Sequence, residues 1–557
     1  MAENLTALED LAPVISVSSR DRPDAKTQRY DRQLRLWASS GQASLERASI
    51  FIGPATATSA QILKNLVLPG VGSFTLFDSQ SVTEPDLGHN FFLEETSLGK
   101  NRAEEVSRLV AELNPDVSPN AISAELVNHL KLGLDQIIFQ SASLLIGVGL
   151  EENAEAELAE ICWAHNLPLI LVQTCGFVGS IRVQVKELGL VETHPDSFVD
   201  LRLDCPFPAL LGFVRSFDFQ SMDSHEHTHI PAVVIIIHFL ELFKSTHGGK
   251  LPHTSAERAE LKKMIMAEKR NADEDNFDEA VGMIWKACKP TVVPNSIQAL
   301  FLESSCATIS PASTPFWILV RTLREFVQTH DHLPLTGALP DMKADTTSYV
   351  TLQTIYRQKA QEDLQAFAVI LREFLNLNQS LNPDALSEQA VQTFVKHAGF
   401  LKLIRGRSLA QERAGPNGLI SLLKAEAGTE SSTEPTPACW YTALRAAARF
   451  RQLHHRYPGS IATDSMTDKV QLEGLVADFI TSLGPTNSFA DEGLPKPLTD
   501  ALGEITRAGG SELPQIAALV GGIVAQESIK LISHQYIPLD GTCIFDGIKS
   551  TSSILNL

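Results

Sequence analysis

Hydrophobic positions in the first third of the chain alternate between two spacings. Ile50 to Ile52 form a short apolar run, which predicts a buried strand. After a turn of small residues, apolar side chains from Ile62 to Val67 recur at helical spacing, and a second apolar run ends at Asp78. The alternation continues as a helix over Arg102–Leu113, an apolar run at Ala142–Val148, a helix over Glu152–Ala164 and a strand at Pro168–Thr174. These repeated units predict an α/β domain with a parallel, doubly wound sheet over residues 26–180.

From about Leu201 the pattern becomes mainly helical. Helical spacing predicts helices over Pro231–Ser245, Ala256–Arg270, Phe277–Ala287, Pro315–His330, Ser348–Leu375, Ser387–Ile404, Thr442–His454 and Asp468–Leu483. The end of the chain returns to the strand-and-helix pattern of the first part, with an apolar helix over Leu513–Ile532 and a strand at Thr542–Phe545. We therefore expect a disordered tail over 1–25, a first α/β part over 26–180, a mainly helical insertion over 181–490 and a completing α/β part over 491–557.

The turn after the first strand lacks the glycines of a nucleotide site. A Rossmann-type turn needs glycine so that backbone N–H groups can approach phosphate closely, and an acid about 20 residues later holds the ribose. Asp78 stands where that acid is expected, but the turn contains Pro54, Thr56 and Ser59. Proline has no N–H to offer, and the other side chains fill space that a phosphate would need. The pattern predicts a nucleotide-binding scaffold whose phosphate cradle is lost.

Composition and charge exclude several function classes. The chain has 557 residues and a formal net charge of -20, so it lacks the basic balance typical of nucleic-acid binders. Its richest apolar run, Ala232 to Phe243, is too short for a membrane span, and the polar start has no signal-peptide pattern. The seven cysteines are scattered without a CxxC pair, so neither zinc nor disulfides are indicated. We expect a soluble intracellular protein.

Four motifs resemble the ubiquitin-activating enzyme superfamily, which is related to the bacterial MoeB and ThiF adenylating enzymes. They are RYDRQLRLW at Arg29–Trp37, ILKNLVLPGVGSFTLFD at Ile62–Asp78, LGKNRAEEV at Leu98–Val106 and AALVGGIVAQESIKLI at Ala517–Ile532. Beyond residue 25, nearly the whole chain is similar to regulatory subunits of heterodimeric activating enzymes of the neddylation type. The resemblance implies a Rossmann-like ThiF/MoeB-type adenylation fold, interrupted by an insertion that matches a catalytic-cysteine domain without its cysteine.

The same resemblance implies that the nucleotide site is degenerate. Only Asp78 is unchanged from the pattern of active members. The Asn-x-x-Arg-Gln region resembles Gly88–Asn90, the ATP-contacting lysine corresponds to Arg102, and the metal-binding aspartate corresponds best to Glu151. We expect no intact nucleotide or metal site on this chain, with ATP and magnesium held by a catalytic partner subunit.

Arg32 is the exception among the family positions. In heterodimeric members the inactive half supplies an arginine to ATP on the active half, and by resemblance Arg32 is that residue. A guanidinium suits the role because it stays charged and forks onto phosphate oxygens. The alternative is a surface arginine paired with Asp31 or a neighbour. The implied partners are the catalytic subunit, a ubiquitin-like modifier of the neddylation type and a conjugating enzyme, in the cytoplasm and nucleus. A self-contained MoeB-type enzyme and a pure scaffold remain alternatives.

Other chemistry-bearing residues give weaker signals. Cys205, Cys306 and Cys439 lie in or near the insertion, but none has the Pro-x-Cys-Thr setting of the family nucleophile, and buried or incidental thiols are expected. The run HEHTH, which contains His225, His227 and His229, is expected to be solvated rather than metal-binding. The stripe from Phe316 to Phe326 is at helical spacing and predicts core packing.

Overall fold

The chain divides into two compact units. The computed structural model describes residues 24–131, 139, 141–193, 200–378, 381, 386–414, 418–419, 421–423, 434–482 and 493–557. Val191–Lys402 form a helical unit, and Pro23–Leu190 with Leu403–Leu557 form an α/β unit. Of the predicted tail over 1–25, residues 1–23 lie outside the described residues; Asp24 caps the first helix by accepting from the Thr27 N–H.

The predicted insertion over 181–490 differs from this division. The described residues between 403 and 482 belong with the α/β unit, because the helices there pack on the sheet and on the last helices of the chain. The sequence also predicts a polar, proline-containing break at Gly428–Pro437 and a glycine- and proline-rich connection at 484–512. Most of the break and the start of the connection lie outside the described residues.

The α/β unit begins with alternating helices and strands. In order they are α1 (Ala25–Arg47), β1 (Ser49–Gly53), α2 (Ala57–Val67), β2 (Ser73–Phe77), α3 (Glu84–His89), α4 (Arg102–Ala111), β3 (Ser118–Ile122), α5 (Leu126–Lys131), β4 (Leu144–Val148), α6 (Glu152–Ala164), β5 (Leu169–Cys175), β6 (Val178–Gln184) and β7 (Leu188–Leu190). The structure confirms the predicted strands and helices of this part, and adds elements that the sequence pattern did not predict, namely α1, α3, β3, α5, β6 and β7.

The helical unit and the rest of the chain follow. The next elements are α7 (Pro208–Arg215), α8 (Ser224–Thr228), α9 (Ala232–Thr246), α10 (Ser255–Glu268), α11 (Asp275–Ala287), α12 (Asn295–Leu302), α13 (Ser304–Ala307), α14 (Pro315–His330), α15 (Thr346–Leu377), α16 (Glu388–Lys396), β8 (Lys402–Ile404), α17 (Leu409–Ala414), α18 (Pro437–His454), α19 (Ser465–Ser482), α20 (Lys496–Ala508), α21 (Pro514–Ser533), β9 (Thr542–Asp546) and β10 (Thr551–Leu555).

One eight-stranded sheet organises the α/β unit. Its order is β10-β9-β6-β5-β4-β1-β2-β3, and the pairs from β5 to β3 are all parallel. The parallel sheet predicted for residues 26–180 is confirmed for β1 to β5, whereas on the other side of the sheet β6, β9 and β10 run antiparallel. The reason is the tight return at Gly176-Phe177, which pairs Cys175 with Val178 and leaves no room for a crossover helix. The order reverses between β1 and β4, where ligands bind in open α/β sheets.

Helix α21 lies in the core of this unit. By length and composition alone it is apolar enough to cross a membrane. Only the run from Ala232 to Phe243 was tested for this property in the sequence analysis. Ile516, Val520 and Val524 are buried in the cluster that covers one sheet face. At Gly521 a Cβ would lie 2.9 Å from Gln61 Cβ and 3.0 Å from the Ile62 nitrogen of α2. Only glycine fits at position 521 without displacing α2, so the two helices pack closely there and α21 behaves as a core helix.

A kink divides α1 into two segments. Trp37 and Ala38 leave helical geometry, with φ values of -123° and 55°. Gln535, which follows α21, donates its side-chain amide to the freed Trp37 carbonyl at 3.0 Å. The first segment of α1, which carries Arg32, is thus fixed in direction by a contact with the C-terminal part of the chain.

The helical unit has its own core around α9. The run from Val233 to Ile237 is fully buried and packs against α7, α10 and α11. Most predicted helices of this unit are confirmed, and Pro315–His330 is confirmed at both ends. The helix predicted over Ser387–Ile404 is wrong in its second half, because α16 ends at Lys396 and the chain turns before β8.

Candidate functional site

The residues after β1 and β4 meet at the sheet position where a nucleotide would bind. The turn after β1 is closed by its own side chains. Thr56 caps α2 by accepting from the Ser59 N–H at 3.2 Å, and the Ser59 hydroxyl donates to the Pro54 carbonyl at 2.6 Å. These bonds satisfy local groups that a glycine-rich turn would leave free, so the turn is built as a capped corner and not as a cradle.

A carboxylate from the far end of the chain occupies the start of α2. Glu512 precedes α21 and is held beside β5 by a backbone bridge to Gly176. Its Oε2 accepts from the Ala57 N–H at 2.7 Å, and its Oε1 accepts from the hydroxyls of Thr58 at 2.8 Å and Thr174 at 3.1 Å. A helix N-terminus attracts anions, and phosphate binds there in active Rossmann-type sites. The Glu512 carboxylate therefore takes the place that a phosphate would need.

The acid of the expected ribose site is also engaged inside the protein. Asp78 is buried, and its Oδ2 accepts from the Ala55 N–H at 2.9 Å and from Arg102 Nε at 2.7 Å. Arg102 also reaches Asp86 at 3.0 Å. Burial disfavours the charged guanidinium, but Asp78 and Asp86 outweigh it and raise the pKa of Arg102. The two predicted remnants Asp78 and Arg102 thus neutralise each other.

The third remnant, Glu151, lies after the end of β4, beside a second place where protein side chains fill the cleft. It precedes α6, and Arg451 Nε of α18 lies 3.9 Å from its carboxylate. Arg451 also donates to the Gly149 carbonyl and, at 2.9 Å, to the Tyr457 hydroxyl. Gly510 contacts the Tyr457 ring so closely that a Cβ would lie 2.2 Å from Tyr457 Cγ. The void left here is about 10 Å³, far below the few hundred Å³ of an ordinary ligand site.

The region matched to the Asn-x-x-Arg-Gln pattern has a structural role as well. It forms the end of α3, and Asn90 is buried with its Oδ1 accepting from the Phe92 N–H at 3.1 Å. Its amide nitrogen has no partner among the described residues.

The residues of the cleft do not fit a nucleotide. The α2 N-terminus, the ribose acid and the end of β4 each carry a bonded protein group, so ATP would have to displace several internal contacts. Sequence reasoning missed Glu512, Arg451 and Tyr457, which do most of this filling. The only sequence signal for these residues was that they lie near motif segments. The contacts themselves leave no sequence pattern, since Glu512 is 455 positions from Ala57.

Arg32 lies outside this cleft, on the exposed face of α1. Its side chain is exposed and makes no ion pair among the described residues. The alternative pairing with Asp31 does not occur, because Asp31 is bound by Arg35 one turn later at 3.1 Å. The structure thus presents an exposed guanidinium on a helix whose direction is fixed at the Trp37 kink.

The cysteines offer no activated thiol. All seven are free, and Cys205 is the only exposed one. Partial burial and the neighbouring Asp204 raise the pKa of Cys205, which disfavours the reactive thiolate. Burial likewise raises the pKa of Cys306, although Arg324 and Arg321 oppose the shift. Cys439 is buried in α18.

One expectation about histidines is wrong. The rings of His225, on the short helix α8, and His229, directly after it, lie 4.6 Å apart in a tilted arrangement, but His227 is fully buried. Its Nδ1 lies 2.9 Å from the carboxylate of Glu274, which is also fully buried, and its ring stacks on Phe277. The HEHTH run was predicted to be solvated because the residues around it are polar. One turn of helix is nevertheless enough to point the single side chain of His227 into the core. Among the described residues no metal-holding cluster forms.

Comparisons with known proteins agree over almost the entire chain. The model of the ThiF family matches residues 30–557. The chain is 36% identical over 547 residues to a "NEDD8-activating enzyme E1 regulatory subunit" of Gallus gallus, covering 96% of this chain and 99% of that protein. It is 35% identical over 535 residues to "NEDD8-activating enzyme E1 regulatory subunit AXR1" of Arabidopsis thaliana, covering 95% and 96%. The Saccharomyces cerevisiae protein of the same name is 25% identical over 549 residues, covering 94% and 99%.

Proposed function

This chain belongs to the ThiF family and, within it, to the NEDD8-activating enzyme E1 regulatory subunits, and from that premise we propose that it is the non-catalytic half of a heterodimer. In this proposal a catalytic partner subunit binds ATP and magnesium and activates a ubiquitin-like modifier of the neddylation type. The present chain stabilises that partner and donates Arg32 to its ATP site.

The observation that carries the proposal is the contrast between the filled cleft and Arg32. Phosphate binding needs several donors that converge on one point, and here the Ala57 N–H already donates to Glu512. Arg102 is likewise committed to Asp78 and Asp86. Chemistry on ATP must therefore take place on another chain. The exposed Arg32 has no competing carboxylate among the described residues, so its charge is available to such a chain.

Arginine is suited to this contribution. A guanidinium stays charged at all physiological pH values and offers parallel N–H donors to phosphate oxygens. Supplied from a neighbouring subunit, it would stabilise charge that develops as the modifier's carboxylate attacks the α-phosphate and pyrophosphate leaves. The helical unit, whose described residues include no activated thiol, would contribute to the surface that receives the modifier and a conjugating enzyme.

ATP–pyrophosphate exchange with the modifier present tests the proposal directly. The assay compares this chain alone, the chain with its catalytic partner, and the partner paired with the variants Arg32→Ala, Arg32→Lys and Arg215→Ala. Arg215 is the matched control, because it is also an exposed arginine with no ion pair among the described residues. We expect exchange only in the heterodimer, with a loss of about a hundredfold in Arg32→Ala, on the scale of losing one preorganised charge donor.

Each other outcome points to a specific alternative. Exchange by the chain alone would mean that the cleft opens, and would support a self-contained adenylating enzyme. Full exchange in the Arg32→Ala heterodimer, with heterodimer formation intact, would leave only a scaffold role. A partial loss in Arg32→Lys would separate the requirement for charge from the requirement for the guanidinium fork.

A further inference from the structure

A strained backbone position lies between the two segments of α1. Ala38 has φ 55° and ψ -178°, a combination that is essentially confined to glycine. Its side chain is exposed, so no packing of its own requires this geometry. Strained conformations of this kind persist only where the surrounding structure holds them, and they cluster at functional sites. The contacts around the kink therefore show what holds it.

Gln535 supplies a hydrogen bond that a regular helix would not need. In a regular helix the carbonyl of residue 37 accepts from the N–H of residue 41. At the kink the Trp37 carbonyl accepts from the side-chain amide of Gln535 at 3.0 Å. Gln535 is 1% exposed, so bulk water does not take its place. Gly41 permits the approach, because a Cβ there would lie 2.9 Å from Gln535 Nε2.

The first segment of α1 is anchored at both ends by buried aromatic residues. Tyr30 and Trp37 lie about two helical turns apart and are both buried, whereas Arg32 between them is exposed. The Tyr30 hydroxyl accepts from Asn114 at 2.9 Å and donates to Asp116 at 3.1 Å. Arg32 therefore lies on a helix segment whose two ends are fixed to different parts of the α/β unit.

We infer that Gln535 is a positioning residue for Arg32. Its amide satisfies the Trp37 carbonyl and so stabilises the kinked form of α1 against a straight helix. Without this bond only the Tyr30 end stays fixed, and the segment can turn about it. The guanidinium ends a long side chain, and a misplacement of about 1 Å can cost about a hundredfold in rate. The inference rests on the proposed role of Arg32 at the partner's ATP site.

Two glutamine variants of the chain, each paired with the catalytic subunit, give the first comparison. Gln535→Met keeps the length of the side chain and removes its amide. Gln184→Met is the matched control, because Gln184 is also 1% exposed and donates to a main-chain carbonyl, that of Ala159, at 2.9 Å. In ATP–pyrophosphate exchange with the modifier we expect a loss of about tenfold in Gln535→Met, the scale of one hydrogen bond. Gln184→Met should keep its activity, with heterodimer formation intact in both.

A double-mutant cycle with Arg32→Ala identifies the route by which Gln535 acts. If Gln535 acts through Arg32, Gln535→Met costs nothing further once the guanidinium is gone. The loss in Gln535→Met should also divide between kcat and the KM for ATP in the same proportion as the loss in Arg32→Ala. A residue that only stabilises the fold would give losses that multiply in the double variant.

Ala38→Gly tests the kink itself. Glycine adopts the backbone angles of residue 38 without strain, and it is disfavoured in a straight helix, so both effects favour the kinked form. Added to Gln535→Met, this change should restore most of the lost exchange, although the hydrogen bond is still missing. No recovery in the double variant would mean that the kink is not what Gln535 contributes.

The outcomes separate this inference from the proposed function. Equal exchange in Gln535→Met and Gln184→Met, or multiplying losses in the cycle, overturns the positioning role and leaves the role of Arg32 standing. Full exchange in Arg32→Ala overturns both. If Gln535→Met does not fold, Gly41→Ala displaces the same amide, and Gly474→Ala of α19 is its control, because a Cβ there meets no described atom within 4 Å. The same cycle with Arg32→Ala then decides.

Discussion

Replacing Glu512 by alanine removes the carboxylate that fills the start of α2. Three donors lose their acceptor at once: the Ala57 N–H, formerly at 2.7 Å, and the hydroxyls of Thr58 and Thr174 at 2.8 and 3.1 Å. A hydrogen bond to a charged group contributes about 1.5–3 kcal/mol, and an anion at a helix N-terminus about 0.3–1 kcal/mol. Because these terms are not additive and Glu512 is only half-buried, we expect a loss of about 2–4 kcal/mol in the free energy of unfolding.

Urea unfolding and amide hydrogen exchange measure the effect together. Exchange should accelerate most at the first turn of α2, and sulfate should restore part of the stability of Glu512→Ala by binding where the carboxylate was. Glu504→Ala is the control, because that nearby glutamate is paired with the exposed Arg507. The reasoning is refuted if Glu512→Ala is no less stable than Glu504→Ala, or if sulfate stabilises the unmodified chain equally. ATP should still not bind the variant, because Asp78 and Tyr457 keep their own partners.

Three further predictions concern stability and reactivity. Gly521→Ala should be clearly destabilised, whereas Gly522→Ala should be neutral or more stable by up to about 1 kcal/mol, because the nearest atom to its new Cβ is 4.0 Å away; urea unfolding of the pair decides. Under native conditions a thiol reagent should label Cys205 alone, and mass spectrometry showing a second labelled cysteine would contradict the burial of the others. Arg456 lowers the pKa of Asp468 below its ordinary 3.8, so this ion pair stabilises the fold above that pH and the contribution is lost as pH falls through the lowered value. In a plot of the free energy of unfolding against pH, Asp468→Asn should therefore lose less stability at acid pH than the unmodified chain. An unchanged acid dependence would show that other carboxylates control it.

Local patterns predicted the local structure well. The helices Glu152–Ala164 and Pro315–His330 begin and end at the predicted residues, because a single apolar stripe and clear boundary residues define each of them. The helix predicted over Ser387–Ile404 is wrong beyond Lys396, since a short strand and a turn can carry apolar residues at a similar spacing. The antiparallel side of the sheet was not predicted, because β6 and β10 were not recognised as strands and nothing in the β9 pattern indicates its direction.

The site was only partly predictable for a related reason. The missing glycines around Pro54 are visible in sequence, so the loss of a phosphate cradle could be inferred. The replacement by Glu512 could not be, because contacts between residues far apart in sequence leave no periodic signal. The burial of His227 was missed on a helix too short to show a period. The extent of the insertion was overestimated because helices that cover a sheet and helices of a separate unit have the same apolar spacing.

The sheet order has a consequence for how the protein is made. β9 pairs with β6, and α21 packs on α2, although β9 and α21 are synthesised long after β6 and α2. The N-terminal strands therefore wait through synthesis of more than half the chain before their partners exist, with apolar surface exposed. A ribosome-bound or truncated product that ends before Pro514 lacks part of its own core, and becomes a substrate for chaperones and proteases instead of a smaller stable protein.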